Sequence, residues 1–106
     1  MTINSLLDRT WKPNYTCFEF LCEAWQQVTG FNLQQRLNEF INGKADFENL
    51  DVPISPCIAF FSNGSKSSTH VGLFYCGKVL HLTQRGAHFV PIETISIRFK
   101  ETRFYQ

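Results

Sequence analysis

Apolar residues in the first half of the chain recur at steps of three and four, which is the spacing of one face of an α-helix. The first of these stripes runs from Phe18 to Val28, and Gly30 follows it as a helix stop signal. The pattern Thr16-x-x-Glu19 before the stripe is a capping box, in which Thr16 caps the helix and Glu19 reaches back to the Thr16 amide. The sequence therefore predicts a helix that begins at Cys17.

A second helix is predicted from Asn32 to about Asn42, with Gly43 ending it. Its apolar face would comprise Leu33, Leu37, Phe40 and Ile41. Residues 44–56 are predicted to be a loop, because two prolines in this segment interrupt any regular element.

The second half of the chain has strand patterns. A short apolar run covers residues 58–61, and further strands are predicted over 69–76, 78–83, 87–91 and 95–99. The polar segment 63–68 is typical of a loop. Helices followed by an antiparallel meander indicate an α+β fold, with helices packed on an antiparallel sheet.

Length and composition favour one globular domain over residues 1–106. The chain has 106 residues, of which 43% are hydrophobic, and a net charge of +1. Scattered basic residues on a nearly neutral chain give nucleic-acid binding little electrostatic support. We expect no membrane span, because no apolar run approaches the roughly 20 residues needed. The first residues do not resemble a signal peptide, so we expect synthesis in the cytoplasm and four reduced cysteines.

Cys17 has the position that activates a thiol. As the first residue of a capped helix, it would feel the positive end of the helix dipole, which lowers a cysteine pKa and favours the nucleophilic thiolate. Cys22 lies inside the same predicted helix and gains no such help. The alternative interpretation of Cys17 is an inert buried thiol, since free cysteines are often buried.

Two histidines are predicted to meet beside that thiol. Thiolate chemistry needs a base within hydrogen-bond reach, and the base needs a group that orients it. A two-residue turn at Cys76-Gly77 would put Leu73 opposite Leu80 and His81 diagonal to His70 on one face. Moving the turn by one residue would place His81 opposite Phe74 and separate the two imidazoles.

The sequence thus favours Cys17 as nucleophile, His70 as base and His81 as the orienting group. For each histidine, a structural or surface role is the alternative. A metal site is disfavoured, because zinc sites use closely spaced ligand pairs such as C-x-x-C and the chain has none. No metal or organic cofactor is expected, and His88 is assigned no role.

The segments Tyr15-Thr16-Cys17-Phe18-Glu19, His70-Val71-Gly72-Leu73-Phe74 and Val79-Leu80-His81 together resemble the NlpC-type cysteine peptidases, which are papain-like enzymes of bacterial cell-wall peptides. The ending Arg103-Phe104-Tyr105 resembles the phage-tail-associated branch. The similarity covers about residues 11–105.

This resemblance implies a papain-like fold and hydrolysis of an amide bond in a peptidoglycan stem peptide. It also implies phage-tail proteins as partners. Delivery to the cell wall by a phage tail, by a secretion apparatus or by cell lysis would each serve, and the tail-like ending favours the first. The Cys17 backbone amide would hold the oxyanion, and the Tyr15 hydroxyl is a candidate second donor. The alternative for Tyr15 is simple packing under the helix. Three positions depart from the family's pattern: Thr16 replaces an Asp, Phe18-Glu19 replaces a small pair, and Pro56-Cys57 replaces Gly-Asp.

Those departures leave two further readings open. The chain could be a tail-assembly component that kept the fold and lost turnover. It could also be another acyl-transfer enzyme on the same scaffold, such as a deamidase or a transferase effector.

Overall fold

A six-stranded antiparallel sheet with one long helix packed against it forms the centre of the protein, in a computed structural model that describes residues 3–41, 47–63 and 70–106. The predicted α+β class is confirmed. The helices are a 3-10 helix (Ile3–Leu6), α1 (Cys17–Thr29), α2 (Gln34–Ile41) and α3 (Ile92–Ser96). The strands are β1 (Asn49–Leu50), β2 (Cys57–Ser62), β3 (His70–Tyr75), β4 (Lys78–Thr83), β5 (Gly86–Pro91) and β6 (Glu101–Tyr105).

Helix α1 begins and ends where the sequence predicts. A Glu19 carboxylate oxygen accepts hydrogen bonds from the Thr16 backbone amide at 2.7 Å and from the Thr16 hydroxyl at 2.8 Å. Gly30 ends the helix in the left-handed conformation, with φ of 82°. The cap therefore places Cys17 in the first turn.

Helix α2 starts two residues later than predicted. The Asn32 side-chain oxygen accepts a hydrogen bond from the Gln34 amide at 2.9 Å, so Asn32 lies before the helix and caps it. Leu33 is buried in the core, as expected. The predicted end at Asn42 and Gly43 lies outside the described residues, and so do the side chains of Leu37, Phe40 and Ile41.

The end of the sheet differs from the prediction. The strand order is β1-β6-β2-β3-β4-β5, so β2 to β5 form the expected meander while β6 returns to pair with β2. The predicted strand over 95–99 is wrong, because residues 92–96 form α3. Ile95 is buried while Ile97 is 82% exposed. One turn of helix turns Ile92 and Ile95 toward the same apolar cluster, which the alternating pattern did not reveal.

The predicted loop over 44–56 also contains one short strand. Strand β1 pairs with the C-terminal strand, with Asn49 opposite Tyr105 and Leu50 opposite Phe104. The sequence does not predict this pairing, because its alternating pattern favours a last strand over 95–99 and not over the residues of β6. Residues 42–46 and the predicted loop residues 64–68 lie outside the described part of the chain.

Alternation along the strands gives the sheet two distinct apolar faces. One face packs on α1 through residues such as Val71, Leu73, Leu80 and Leu82. The opposite face carries a second cluster, which includes Phe61, Phe74, Val79 and Ile95. The candidate site lies where the hairpin of β3 and β4 opens between these two faces.

Candidate functional site

The β3–β4 hairpin has the predicted register. Its turn residues Cys76 and Gly77 both have positive φ, 53° and 81°, as a two-residue turn of type I′ requires. Leu73 pairs with Leu80, and Tyr75 pairs with Lys78. The pairing stops at Leu73, so the two strands separate toward the start of β3, where His70 lies.

His70 and His81 meet at this open end. The His70 Nε2 atom lies 2.9 Å from the His81 Nδ1 atom, and the rings are nearly perpendicular. One imidazole therefore donates to the other, and each fixes its neighbour's tautomer. The predicted approach of the two side chains is thus observed.

Aromatic side chains enclose the base candidate. The His70 ring stacks on Phe99 with an interplanar angle of 5° and also contacts Phe61. Burial lowers the pKa of His70 to about 4. The pKa of His81 is lowered to about 3, chiefly by burial and to a smaller extent by the charges of His70, His88 and Arg98. Both imidazoles are therefore neutral at neutral pH.

The Cys17 thiol lies against the edge of β3 that the open hairpin exposes. In a two-residue hairpin, hydrogen-bonded pairs alternate from the turn, so the Val71 amide points toward β4 as those of Tyr75 and Leu73 do. Pairing has ended before Val71, and its N–H is directed at the Cys17 thiol, which lowers the thiol's pKa.

The pKa of Cys17 nevertheless moves opposite to the prediction. Burial raises it, and the Glu19 carboxylate raises it further, while the amides of Val71, Cys17 and Phe18 act in the lowering direction. Burial outweighs the helix terminus because Cys17 packs against the cluster under α1. The expectation of a thiol activated by its helix position alone is therefore wrong.

Cys17 meets the β3 backbone one residue from His70, but the two side chains point in different directions. The thiol lies at Val71, the residue that follows His70 in β3, yet the Val71 side chain faces α1 while the His70 ring faces Phe61 and Phe99. No hydrogen bond between the Cys17 thiol and the His70 imidazole occurs among the residues that the structure describes.

The Tyr15 hydroxyl is already bound within the protein. Its hydroxyl donates a short hydrogen bond to Glu23, whose carboxylate also binds Arg9 at 2.7 Å. A tyrosine hydroxyl has one hydrogen to donate, so this hydrogen is not available to an oxyanion. The ring meets Phe20 edge to face, which agrees with a packing role beside α1.

The other three cysteines lack comparable surroundings. All four cysteines are free thiols. Burial raises the pKa of Cys22 to about 11, with a further contribution from the Glu19 carboxylate. Cys57 is buried in the second cluster, and Cys76 is exposed in the hairpin turn. Of the four, Cys17 is the one whose thiol meets the β3 backbone at Val71, the residue after His70.

His88, to which the sequence assigns no role, lies beside the histidine pair. His88 lies directly opposite His81 in the β4–β5 pairing, with their ring centroids 5.7 Å apart. All three histidines line a pocket of about 390 Å³ that α3 closes on the face opposite α1. The β4–β5 turn at Gln84-Arg85 determines this pairing, and Gly86 in the sequence is the signal that could have located it. Within the described part of the chain, no three His, Cys, Asp or Glu side chains are arranged to hold a metal ion.

Comparisons with known proteins add no family assignment: no family model, no curated protein and no solved structure matches the chain. Among its described helices, none is both long and apolar enough to cross a membrane.

Proposed function

We propose that the chain is a cysteine hydrolase in which Cys17 attacks an amide carbonyl, His70 transfers the proton and His81 orients His70. The observation that carries this proposal is the placement of the Cys17 thiol at the Val71 amide, one residue from a histidine whose far nitrogen is held at 2.9 Å by His81. A nucleophile, a base and a group that orients the base are the parts that such chemistry requires.

The proposed role fixes the tautomers of the two histidines. To accept the thiol proton, His70 needs an unprotonated Nδ1, so it carries its hydrogen on Nε2 and donates it to His81 Nδ1. His81 then carries its own hydrogen on Nε2. The depressed pKa of His70 keeps this neutral form at neutral pH.

In the proposed reaction, the Cys17 sulfur forms a bond to the carbonyl carbon while the thiol proton moves to His70 Nδ1. The carbon–nitrogen bond then breaks, and His70 returns that proton to the leaving amine. Water attacks the resulting thioester and gives a proton to His70, which passes it to the departing sulfur. The products are an amine and a carboxylic acid, and Cys17 and His70 return to their starting forms.

The helix terminus supplies the oxyanion donor in this proposal. The Cys17 backbone amide lies in the first turn of α1, where N–H groups lack helical partners and the dipole is positive. One such donor typically contributes about 3–4 kcal/mol to the stability of a transition state. Tyr15 is not part of the proposal, since its hydroxyl is bound to Glu23.

The substrate in this proposal is a peptidoglycan stem peptide, and the fold is a papain-like one. Both assignments rest on the sequence resemblance around Cys17, His70 and His81. Association with a phage tail rests on the resemblance of the last residues. The α+β architecture, with Cys17 at the start of a helix packed on an antiparallel sheet, is compatible with this assignment.

Product analysis on purified peptidoglycan tests the proposal. The wild-type protein should release new amino groups, identified by labelling and mass spectrometry, and Cys17→Ala should release none. Cys22→Ala is the matched control, because it removes a half-buried thiol from the same helix and should keep activity. Equal release by wild type and Cys17→Ala would refute the proposal, and release of ammonia without chain cleavage would identify a deamidase.

A second candidate is a structural tail component without turnover. The raised pKa of Cys17 and the separate orientation of the His70 ring favour this alternative. Labelling with a thiol-reactive substrate analogue distinguishes the two. A hydrolase incorporates the label at Cys17 in a manner that depends on His70, whereas a structural component does not.

A further inference from the structure

The pocket on the face opposite α1 combines positive charge with an apolar floor. Its polar lining includes His81, His88, Arg85 and Arg98, and none of its lining residues is acidic. Its apolar lining comprises Val90, Ile95 and Phe99. A pocket of about 390 Å³ is within the size range of small-ligand sites.

The two arginines of this pocket have no carboxylate partner among the residues that the structure describes. The ion pairs there join Arg9 to Asp8 and Glu23, and Arg103 to Glu101. Arg98 is close enough to lower the pKa of the buried His81 by its charge. Guanidinium groups bind carboxylates with two parallel hydrogen bonds, so their presence without an acidic neighbour favours an anionic ligand.

The histidine pair supplies a further donor for such a ligand. Only one nitrogen of His81 is used in its contact with His70, and that atom is Nδ1. In the tautomer that accepts from His70, the other nitrogen, Nε2, carries a hydrogen. His81 also lines the pocket, so this N–H donor stands beside the cationic groups.

We propose that this pocket binds a small carboxylate ligand with an adjoining aliphatic group, the two arginines holding the carboxylate and the apolar floor holding the aliphatic part. A peptide C-terminus and a free short-chain acid share this chemistry. Cys17 does not line the pocket, so the arginines and the apolar floor carry this proposal without the hydrolase assignment, and only the tautomer of His81 rests on that assignment.

Nuclear magnetic resonance titrations of the full chain at pH 7 test the proposal. The probes are acetyl-alanyl-leucine for a peptide C-terminus, isovalerate for a free acid, and acetyl-alanyl-leucinamide as the neutral match of the first. Both carboxylates should shift the ring signals of His81 and His88. The carboxylate that binds with the higher affinity shows whether the natural ligand is a peptide C-terminus or a free acid. The neutral amide should bind at least about tenfold more weakly, because it lacks the charge that the guanidinium groups recognise.

Arg98→Gln should weaken carboxylate binding about tenfold, the usual effect of losing one charge-assisted contact. Arg103→Gln is the matched control, because it removes the same charge from an exposed β6 residue outside the pocket and should leave the affinity unchanged. Equal affinity for the amide and the acid would overturn the proposal. So would equal weakening by both substitutions, which would indicate an effect of net charge alone.

Discussion

His70 and His81 share a hydrogen bond of 2.9 Å at the open end of a hairpin whose strands are paired only from Leu73 to Tyr75 on the β3 side. His81 is diagonal to His70 in the register of this hairpin, so the two imidazoles can reach each other, and their rings meet at 84°. The strands are no longer paired at Val71, whose amide is directed at the Cys17 thiol. The start of β3 therefore takes part in both contacts.

The buried histidines predict how stability depends on pH. The folded pKa of His70, about 4, is below the ordinary value of 6.5, so the unfolded chain binds a proton that the folded chain does not. The stabilisation is therefore fully present above pH 6.5 and is lost as the pH falls toward 4. The slope should be about 1.4 kcal/mol per pH unit for this group.

The variant His70→Phe isolates that contribution, because a phenyl ring suits the space between Phe61 and Phe99. Urea unfolding of both proteins at several pH values between 4 and 7 measures the effect. The wild type should lose stability relative to the variant as the pH falls. A difference in unfolding free energy that stays constant with pH would show that the pKa of His70 is the same in the folded and unfolded chain, and would contradict the prediction.

The raised pKa of Cys17 predicts the effect of the capping carboxylate. Glu19→Gln removes a negative charge that raises the thiol's pKa, while the amide oxygen can still accept the hydrogen bond from the Thr16 amide. The pKa of Cys17 should therefore fall and its alkylation at pH 8 should become faster. Mass spectrometry of iodoacetamide-treated protein, resolved by peptide, gives the rate for each cysteine.

Asp8→Asn is the control for that experiment, because it removes a carboxylate that pairs with Arg9 and does not act on the thiol. An alkylation rate of Cys17 that is the same in Glu19→Gln and wild type would contradict the charge effect. A lower melting temperature in Glu19→Gln would show that the cap was disturbed as well.

Gly72 should not tolerate a side chain. A Cβ atom at this position would lie 2.7 Å from Val79 Cγ1, 3.0 Å from the Leu80 carbonyl oxygen and 3.1 Å from His81 Cβ. Gly72→Ala should therefore cost about 1–3 kcal/mol, the usual cost of overpacking. Thermal and urea unfolding would measure it.

Val79→Ala provides the matching partner for a double-mutant cycle, because it removes the nearest atom. The double variant should be less destabilised than the sum of the two single variants. Additive effects would mean that the Leu80 backbone, and not the Val79 side chain, is the obstacle.

How far the sequence predicts this structure depends on how local each feature is. The start of α1 follows from Thr16 and Glu19, and it is confirmed. The hairpin register follows from the turn at Gly77 and the pairing of Leu73 with Leu80, and it is also confirmed. The pKa of Cys17 depends on what packs over the thiol, which involves residues more than 50 positions away. A prediction from the helix terminus alone therefore had the wrong direction.

The missed features are also non-local. Tyr15 binds the Glu23 carboxylate, which also pairs with Arg9 from the segment before α1. His88 joins the other two histidines through the β4–β5 register, which depends on a turn whose pairing was not predicted. The strand expected over 95–99 failed because three alternating apolar residues suit one short helix with an exposed Ile97 equally well.

The last prediction separates the two histidines by their roles in the proposed hydrolysis. His70→Ala removes the group that takes the thiol proton, so cleavage should be lost along with the His70-dependent labelling of Cys17. His81→Ala leaves the base in place but removes the acceptor that holds its Nε2 hydrogen, so the loss should be smaller. His81→Asn should recover part of that loss, because its carbonyl oxygen can accept the same hydrogen bond.

The measurement is the rate of amide cleavage in peptidoglycan between pH 5 and 9, with circular dichroism to confirm folding. Full activity of His81→Ala would mean that another group orients His70, and equal losses in His81→Ala and His81→Asn would mean that the hydrogen bond to His70 does not matter for the rate.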